Sequence, residues 1–258
     1  MASEILGRKA SPPKSGIPKM IDLNSKTMLS DRINYLIDEA IAAARAQDPP
    51  REYLGASLAG HACERYVQYQ WLVIQKEIPG EVFPPRTLRI FDRGNVYEDR
   101  ARRWLQGAGF IFAPNPPAIS EIDGQIGGHV DGILAGFFPG EYPVTLPALW
   151  ECKCLGNKGW KALEKDGLKK YSPTYFGQVQ LYMGYLGLPL CLFTAVNADT
   201  MELQHFPIDY IDTEFVLIQS KIMRVFTATK LGELLPRCTT DPAFYLCVYC
   251  PFRKPCWA

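Results

Sequence analysis

The run Trp150-Glu151-Cys152-Lys153-Cys154 carries the first chemistry. Its apolar surroundings read as a strand, on which alternate side chains leave by opposite faces, so Glu151 and Lys153 point one way and Cys152 and Cys154 the other. Twenty residues upstream, Gly127-Gly128-His129-Val130-Asp131-Gly132 places a second carboxylate in a hairpin strand able to lie beside the first. Two carboxylates and a phosphate suit a hard divalent cation such as Mg2+ or Mn2+, which takes oxygen ligands and keeps several waters. A lysine beside them can orient the attacking water and offset charge growing on phosphorus oxygens. Each feature alone has an ordinary reading, Glu151 with Lys153 as a strand-end ion pair and Asp131 as a turn-flanking carboxylate.

Further candidates lie on predicted helices. Gln178 and Tyr182, four residues apart, share a helix face that could meet the lysine, the water or a nucleic-acid backbone. Glu98, in Phe91-Asp92-Arg93-Gly94-Asn95-Val96-Tyr97-Glu98, is a candidate third acidic ligand. The cysteines cluster at the C-terminus: Cys247-x2-Cys250-x5-Cys256 offers three soft ligands, interleaved with Pro251, Lys254 and Pro255 in a stretch that cannot be a regular core element. A fourth ligand could come from Cys63, Cys238 or a histidine. In Ser57-Leu58-Ala59-Gly60-His61-Ala62-Cys63-Glu64-Arg65, Ser57 is placed to cap a helix whose free N–H groups could hold a phosphate, with Arg65 able to add a bidentate contact.

The elements that must position these groups follow from spacing and punctuation. Residues 1–20 read as a flexible tail. Helices are predicted from Ser30 to the Asp-Pro-Pro at 48–50, over Ser57–Ile74 and over Arg86–Leu105. Strands follow at Gly109–Phe112, Ala118–Ile122, Ile126–Leu134 and Ala148–Cys154, the second and third joined as a hairpin by Asp123-Gly124. A short helix at 158–165, a helix at 173–186, strands at 191–197 and 201–207 and a helix over 212–235 complete the order. This predicts an α/β (α+β) fold, a mixed central sheet flanked by helices, with residues 21–258 as a single domain.

Composition agrees. A chain of 258 residues with 47% hydrophobic and 21% charged residues is neither fibrous nor low-complexity. A formal charge of +1 advertises no global affinity for polyanions, so any nucleic acid must be held by local patches. There is no run of 18 apolar residues and no apolar segment of secretory type at the start, which predicts a cytoplasmic protein, in a bacterium or a phage-infected host, without a membrane partner. Eight cysteines in a reducing compartment point to metal or cluster binding rather than disulfides.

In order and spacing, these residues resemble the PD-(D/E)XK nuclease superfamily and, within it, the RecB-like exonucleases that carry an iron-sulfur cluster, a branch including CRISPR-associated adaptation nucleases, AddB-type subunits and phage exonucleases. Asp131 with Glu151-Cys152-Lys153 matches the D…ExK signature, Gln178 to Tyr182 the QxxxY helix, and one upstream cysteine plus Cys-x2-Cys-x5-Cys the cluster pattern. The resemblance spans residues 57–256. It implies a restriction-endonuclease-like fold and a [4Fe-4S] cluster on Cys63, Cys247, Cys250 and Cys256 that pins the tail, with structural Zn2+ as the alternative. It also implies metal-dependent hydrolysis at DNA ends, with a preference for single strands, in recombination or repair. Asp131, Glu151, the carbonyl of Cys152 and Glu98 would bind the metal, Lys153 would position water and Gln178 would steady it. Val130 stands where the name-giving proline would be. Glu98 stands where the branch has a histidine, leaving His61 or His129 as other third ligands. Ser57, Arg65 and Arg93 would meet DNA, with further backbone contacts drawn from Arg86, Arg89, Arg100, Arg102, Arg103, Lys158, Lys161, Lys165, Lys169 and Lys170. Partners implied are DNA and either a single-strand annealing protein or an integrase, the latter for a nuclease that trims spacer precursors. A non-catalytic DNA-binding subunit on the same fold is the alternative of another class.

Overall fold

The structure is a computed structural model and describes residues 26–138 and 144–258. The tail expected over 1–20 lies outside them. Tertiary contacts divide the chain into Met1–Asp48 and Pro49–Ala258. The first unit contributes helix α1, Lys26–Arg45, which begins four residues ahead of the predicted start at Ser30.

The second unit is built on a five-stranded sheet. Its strands are β2 (Phe110–Phe112), β5 (Gly132–Phe137), β6 (Ala148–Leu155), β7 (Leu190–Asn197) and β8 (Leu203–Asp209), in the order β2-β5-β6-β7-β8. Neighbours are antiparallel except β6 and β7, which run parallel with Glu151 opposite Phe193. Parallel neighbours need a crossover, here supplied by α4 (Asn157–Tyr171) and α5 (Pro173–Leu186). Covered on both faces, β7 is buried at all eight positions, whereas the edge strand β8 alternates.

Strand alternation on β6 divides the core. Ala148, Trp150 and Cys152 pack with Ala101 and Leu105 of α3 (Pro85–Gly107), while Leu149 and Leu155 pack into the cluster shared by α5, α2 (Glu64–Ile74) and α6 (Asp212–Lys230). Helix α5 starts at Ser172, whose hydroxyl accepts the Tyr175 N–H at 3.2 Å, with Pro173 in the first turn. Every residue from Phe176 to Met183 is buried.

Three expectations need correction. The predicted strand Ile126–Leu134 is two strands in different sheets: β4 (Ile126–Gly128) pairs with β3 (Ile119–Glu121) and with β1 (Leu54–Gly55), and β5 pairs with β2 and β6. Asp131 therefore sits in the connector between sheets, not within a hairpin strand. The helix expected from Ser57 begins at Glu64, so Cys63 is its N-cap, and Ser57 lies in a 3-10 turn over Ala56–Leu58. Close packing explains the break: a Cβ on Gly60 would lie 2.7 Å from the Thr174 Cα, so the loop rests directly on the start of α5. The last helix stops at Lys230 rather than at 235, because the chain turns through Gly232 at φ 70°. Beyond it, Gln68 of α2 holds the extended chain, donating to the Glu233 carbonyl at 2.6 Å and accepting from the Leu235 N–H at 2.8 Å. Short helices α7 (Tyr245–Val248) and α8 (Arg253–Trp257) close the tail.

Candidate active site and thiol cavity

Strand β6 delivers Glu151 to the face covered by α5, where the side chain is wholly buried. Its Oε1 accepts from Gln178 Nε2 at 2.7 Å and from Lys153 Nζ. Its Oε2 has no hydrogen-bond partner among the described residues. A buried carboxylate oxygen without a donor is costly unless something positive fills the gap. Asp131 closes on the same strand, its Oδ2 accepting the Cys152 N–H at 2.7 Å. Gln178 also bonds Tyr182, whose hydroxyl donates to the His129 carbonyl at 3.2 Å, so the paired positions on α5 tie Glu151 to the connector that carries Asp131.

The electrostatics tie in Glu98 from α3. Burial pushes its carboxyl up to about 7, and the Asp131 charge adds to the shift, against Lys153 and Arg102. Burial likewise raises Glu151 to about 8, opposed by Lys153 and reinforced by Asp131 and Glu98. Asp131 is raised by burial, opposed by Lys153 and the Cys152 amide. For Lys153, burial pulls down, but Glu151 and Asp131 outweigh it and hold the ammonium well above its usual range. Three carboxylates crowded round one cation, with one oxygen unpaired, suit a hard divalent ion whose other ligands are water and phosphate. Among the described residues no three His, Cys, Asp or Glu side chains already converge as ligands to a single ion, neither at these carboxylates nor among the cysteines.

The two histidines considered beside Glu98 lie differently. His129 is exposed and contributes its carbonyl to Tyr182. His61 stacks on Tyr66 at 4.1 Å, accepts the Cys63 N–H at 3.1 Å and lines a separate cavity. Ser57 is exposed on its 3-10 turn. Arg93 is exposed on α3, with its guanidinium on the Cys154 thiol. Arg65 is half-buried and donates to the Leu235 carbonyl, with Nη1 3.9 Å from Cys256 Sγ. Arg102 is engaged within the fold: it donates to the Asp131 carbonyl and lies over Phe112 at 4.9 Å and Trp150 at 5.5 Å. Its spacing of four from Glu98 was the sequence signal that it faces the carboxylates. Tyr175, whose ring lies 5.5 Å from Lys153 Nζ, left no such signal. Lys169 and Lys170 pair with Glu214 and Asp166 at 2.8 and 2.7 Å.

The thiols gather elsewhere. Cys63, Cys238, Cys247, Cys250 and Cys256 line one small cavity of about 20 Å3, together with Arg65, Tyr66, Tyr69 and Arg237. Phe252 stacks on Tyr69 at 5.1 Å and Arg237 Nε donates to the Cys256 carbonyl at 2.8 Å, so aromatic packing and one arginine fold the tail over α2. The donor set is soft, as thiophilic metals require. Burial and the adjoining Cys63 thiol push Cys238 up to about 12.

No protein-family model matches the chain, and no curated protein matches it. Among solved structures, the alkaline exonuclease LHK-Exo from Laribacter hongkongensis superposes with a TM-score of 0.51 at 18% identity, covering 75% of this chain and 93% of that one. The chain shares that exonuclease's fold. The complex of LHK-Exo with dAMP superposes at 0.52 and 19% identity over the same shares. At this identity the likeness is one of fold, and the mixed α/β architecture expected from the sequence stands. It does not extend to the iron-sulfur branch, for which the argument rests on this chain's own cysteines. No helix among the described residues is long and apolar enough to cross a membrane.

Proposed function

We propose that the protein is a metal-dependent deoxyribonuclease that hydrolyses phosphodiesters at DNA ends. The observation that carries this reading is Glu151: wholly buried, held on one oxygen by Lys153 and Gln178, unpartnered on the other, and flanked by Asp131 and Glu98. The LHK-Exo complex with dAMP shows a nucleotide accommodated on this fold and supports DNA as the substrate. Glu98, Asp131, Glu151 and the Cys152 carbonyl would hold Mg2+ or Mn2+, which supplies positive charge to the phosphate and acidifies water when bound.

The chain's own residues do the rest. Lys153, kept protonated by its carboxylate neighbours, cannot serve as the base at neutral pH; it donates to the water or to a phosphate oxygen and offsets developing negative charge. Gln178 fixes the Glu151 oxygen that Lys153 shares. Water attacks phosphorus, the bond to the 3′ oxygen breaks, and 5′-phosphate and 3′-hydroxyl ends result. Ser57 and Arg93, both exposed, would be the DNA-backbone contacts, and Arg65 of α2, whose guanidinium is engaged with the Leu235 carbonyl, would join them through its exposed part. Single-strand preference, and a role in recombination or repair beside an annealing protein, belong to the same reading. A non-catalytic subunit would have no use for an unpaired carboxylate oxygen in the interior. For the thiol cavity we propose a [4Fe-4S] cluster on Cys63, Cys247, Cys250 and Cys256, supported by the soft donor set and the spacing; zinc is what elemental analysis would find if that is wrong.

The test is digestion of end-labelled single- and double-stranded DNA with Mg2+ or Mn2+ by anaerobically purified protein. Wild type is expected to trim ends, and Glu151→Gln and Lys153→Ala to lose at least about 100-fold in rate. Wild-type inactivity on both DNA forms with both metals would overturn the enzyme reading.

A further inference from the structure

Five thiols line the cavity, one more than a four-cornered cluster can use. Three of them, Cys247, Cys250 and Cys256, come from the tail in fixed spacing and are tied to it by α7, α8 and the Arg237 bond to the Cys256 carbonyl. The other two come from different parts of the chain. Cys63 is the N-cap of α2, its N–H on His61 Nδ1, and Cys238 follows Arg237 in the extended segment that Gln68 anchors at Leu235. Both line the cavity beside the three tail thiols, near enough to each other that Cys63 helps to raise the Cys238 thiol.

We propose that Cys238 is an alternative ligand to Cys63, either thiol completing the set begun by Cys247, Cys250 and Cys256 around an iron-sulfur cluster. This rests on the cluster reading above. Exchange between them is a ligand substitution in which one thiolate leaves as the other binds and a proton passes the opposite way, with no change in oxidation state. Cys238 is the more exposed of the two, so it can adjust without disturbing the cap of α2.

The experiment compares anaerobically purified wild type, Cys63→Ala, Cys238→Ala and the double variant by iron and sulfide content and visible spectrum. Both single variants are expected to keep the wild-type iron-to-protein ratio and the double variant to lose it. Loss of iron from Cys63→Ala with its helical circular dichroism intact overturns the proposal, since Cys238 then fails to substitute. Should Cys63→Ala not fold, brief alkylation of loaded wild type followed by peptide mass spectrometry decides: label divided between Cys63 and Cys238 supports exchange, and label confined to Cys238 overturns it. Wild type without iron overturns the cluster itself, an outcome distinct from the others.

Discussion

Gln178 shows how much a residue can contribute without touching substrate. Its amide fixes one oxygen of a fully buried carboxylate, and loss of such a supporting bond typically costs about 10–100-fold in metal affinity or activity. Gln178→Ala is expected in that range in the end-trimming assay, with Gln178→Glu worse because it adds a fourth acidic group. The raised carboxyls also set a pH dependence. Near neutral pH in the metal-free protein, Glu98 at about 7 is shared between its two forms and Glu151 at about 8 is mostly protonated, and both must be ionised to bind a cation. Mn2+ affinity measured by calorimetry should therefore rise from pH 6 to pH 9, with proton release that depends on buffer. Without metal the sign reverses for stability: the unfolded carboxyl near 4.5 ionises first, so the folded form loses stability as pH rises from there through about 8. Thermal melts in chelator at pH 5 and pH 8 should show this drop, and Glu151→Gln should shrink it.

At the scale of elements, α5 links the two sites. Gly177 of α5 abuts Gly60 of the loop that leads to Cys63, and a Cβ on Gly177 would lie 2.7 Å from the Gly60 nitrogen, which is backbone and cannot swing aside. Gly177→Ala is thus expected to destabilise by about 1–3 kcal/mol by forcing backbone apart. Because Gln178 is the next residue, the end-trimming rate should fall as well, whereas a surface change such as Glu164→Ala, exposed on α4, should leave both near wild type. The bounds of α5, α3 and β6 were legible from Ser-Pro, Gly and alternation, all local signals. The split of residues 126–134 between two sheets was not, since Ile126 and Leu134 are apolar in either arrangement and only pairing with β1, β3 and β2 separates them.

For the whole molecule, the tail from 231 onward lies over α2 through a few specific bonds. Gln68, almost wholly buried, supplies two of them to the backbone of Glu233 and Leu235. Gln68→Ala removes both of these bonds, each worth about 0.5–1.5 kcal/mol, so the tail should become cleavable by limited proteolysis ahead of the remaining core. If the cavity carries a metal centre, stripping it should produce the same protease sensitivity in wild type, because soft-metal binding to the folded thiol set is also folding free energy. The family resemblance implied that the tail would return to an early helix, but Gln68, Arg65 and Arg237 as its anchors carry no spacing signal. They act across more than 15 residues of sequence, at distances that only the folded chain reveals.

The sequence by itself determined which side chains share a face: period two on β6 dictates it for Glu151 and Lys153, and helical spacing for Gln178 and Tyr182. Those periodicities are properties of local backbone geometry and survive any packing. Tertiary structure alone decided that Asp131 stands between two sheets, that Glu98 is coupled to it, that Arg102 is spent on its carbonyl, and that five thiols rather than four meet at one cavity. Each of those depends on which distant segments exclude water together, and no local pattern records that.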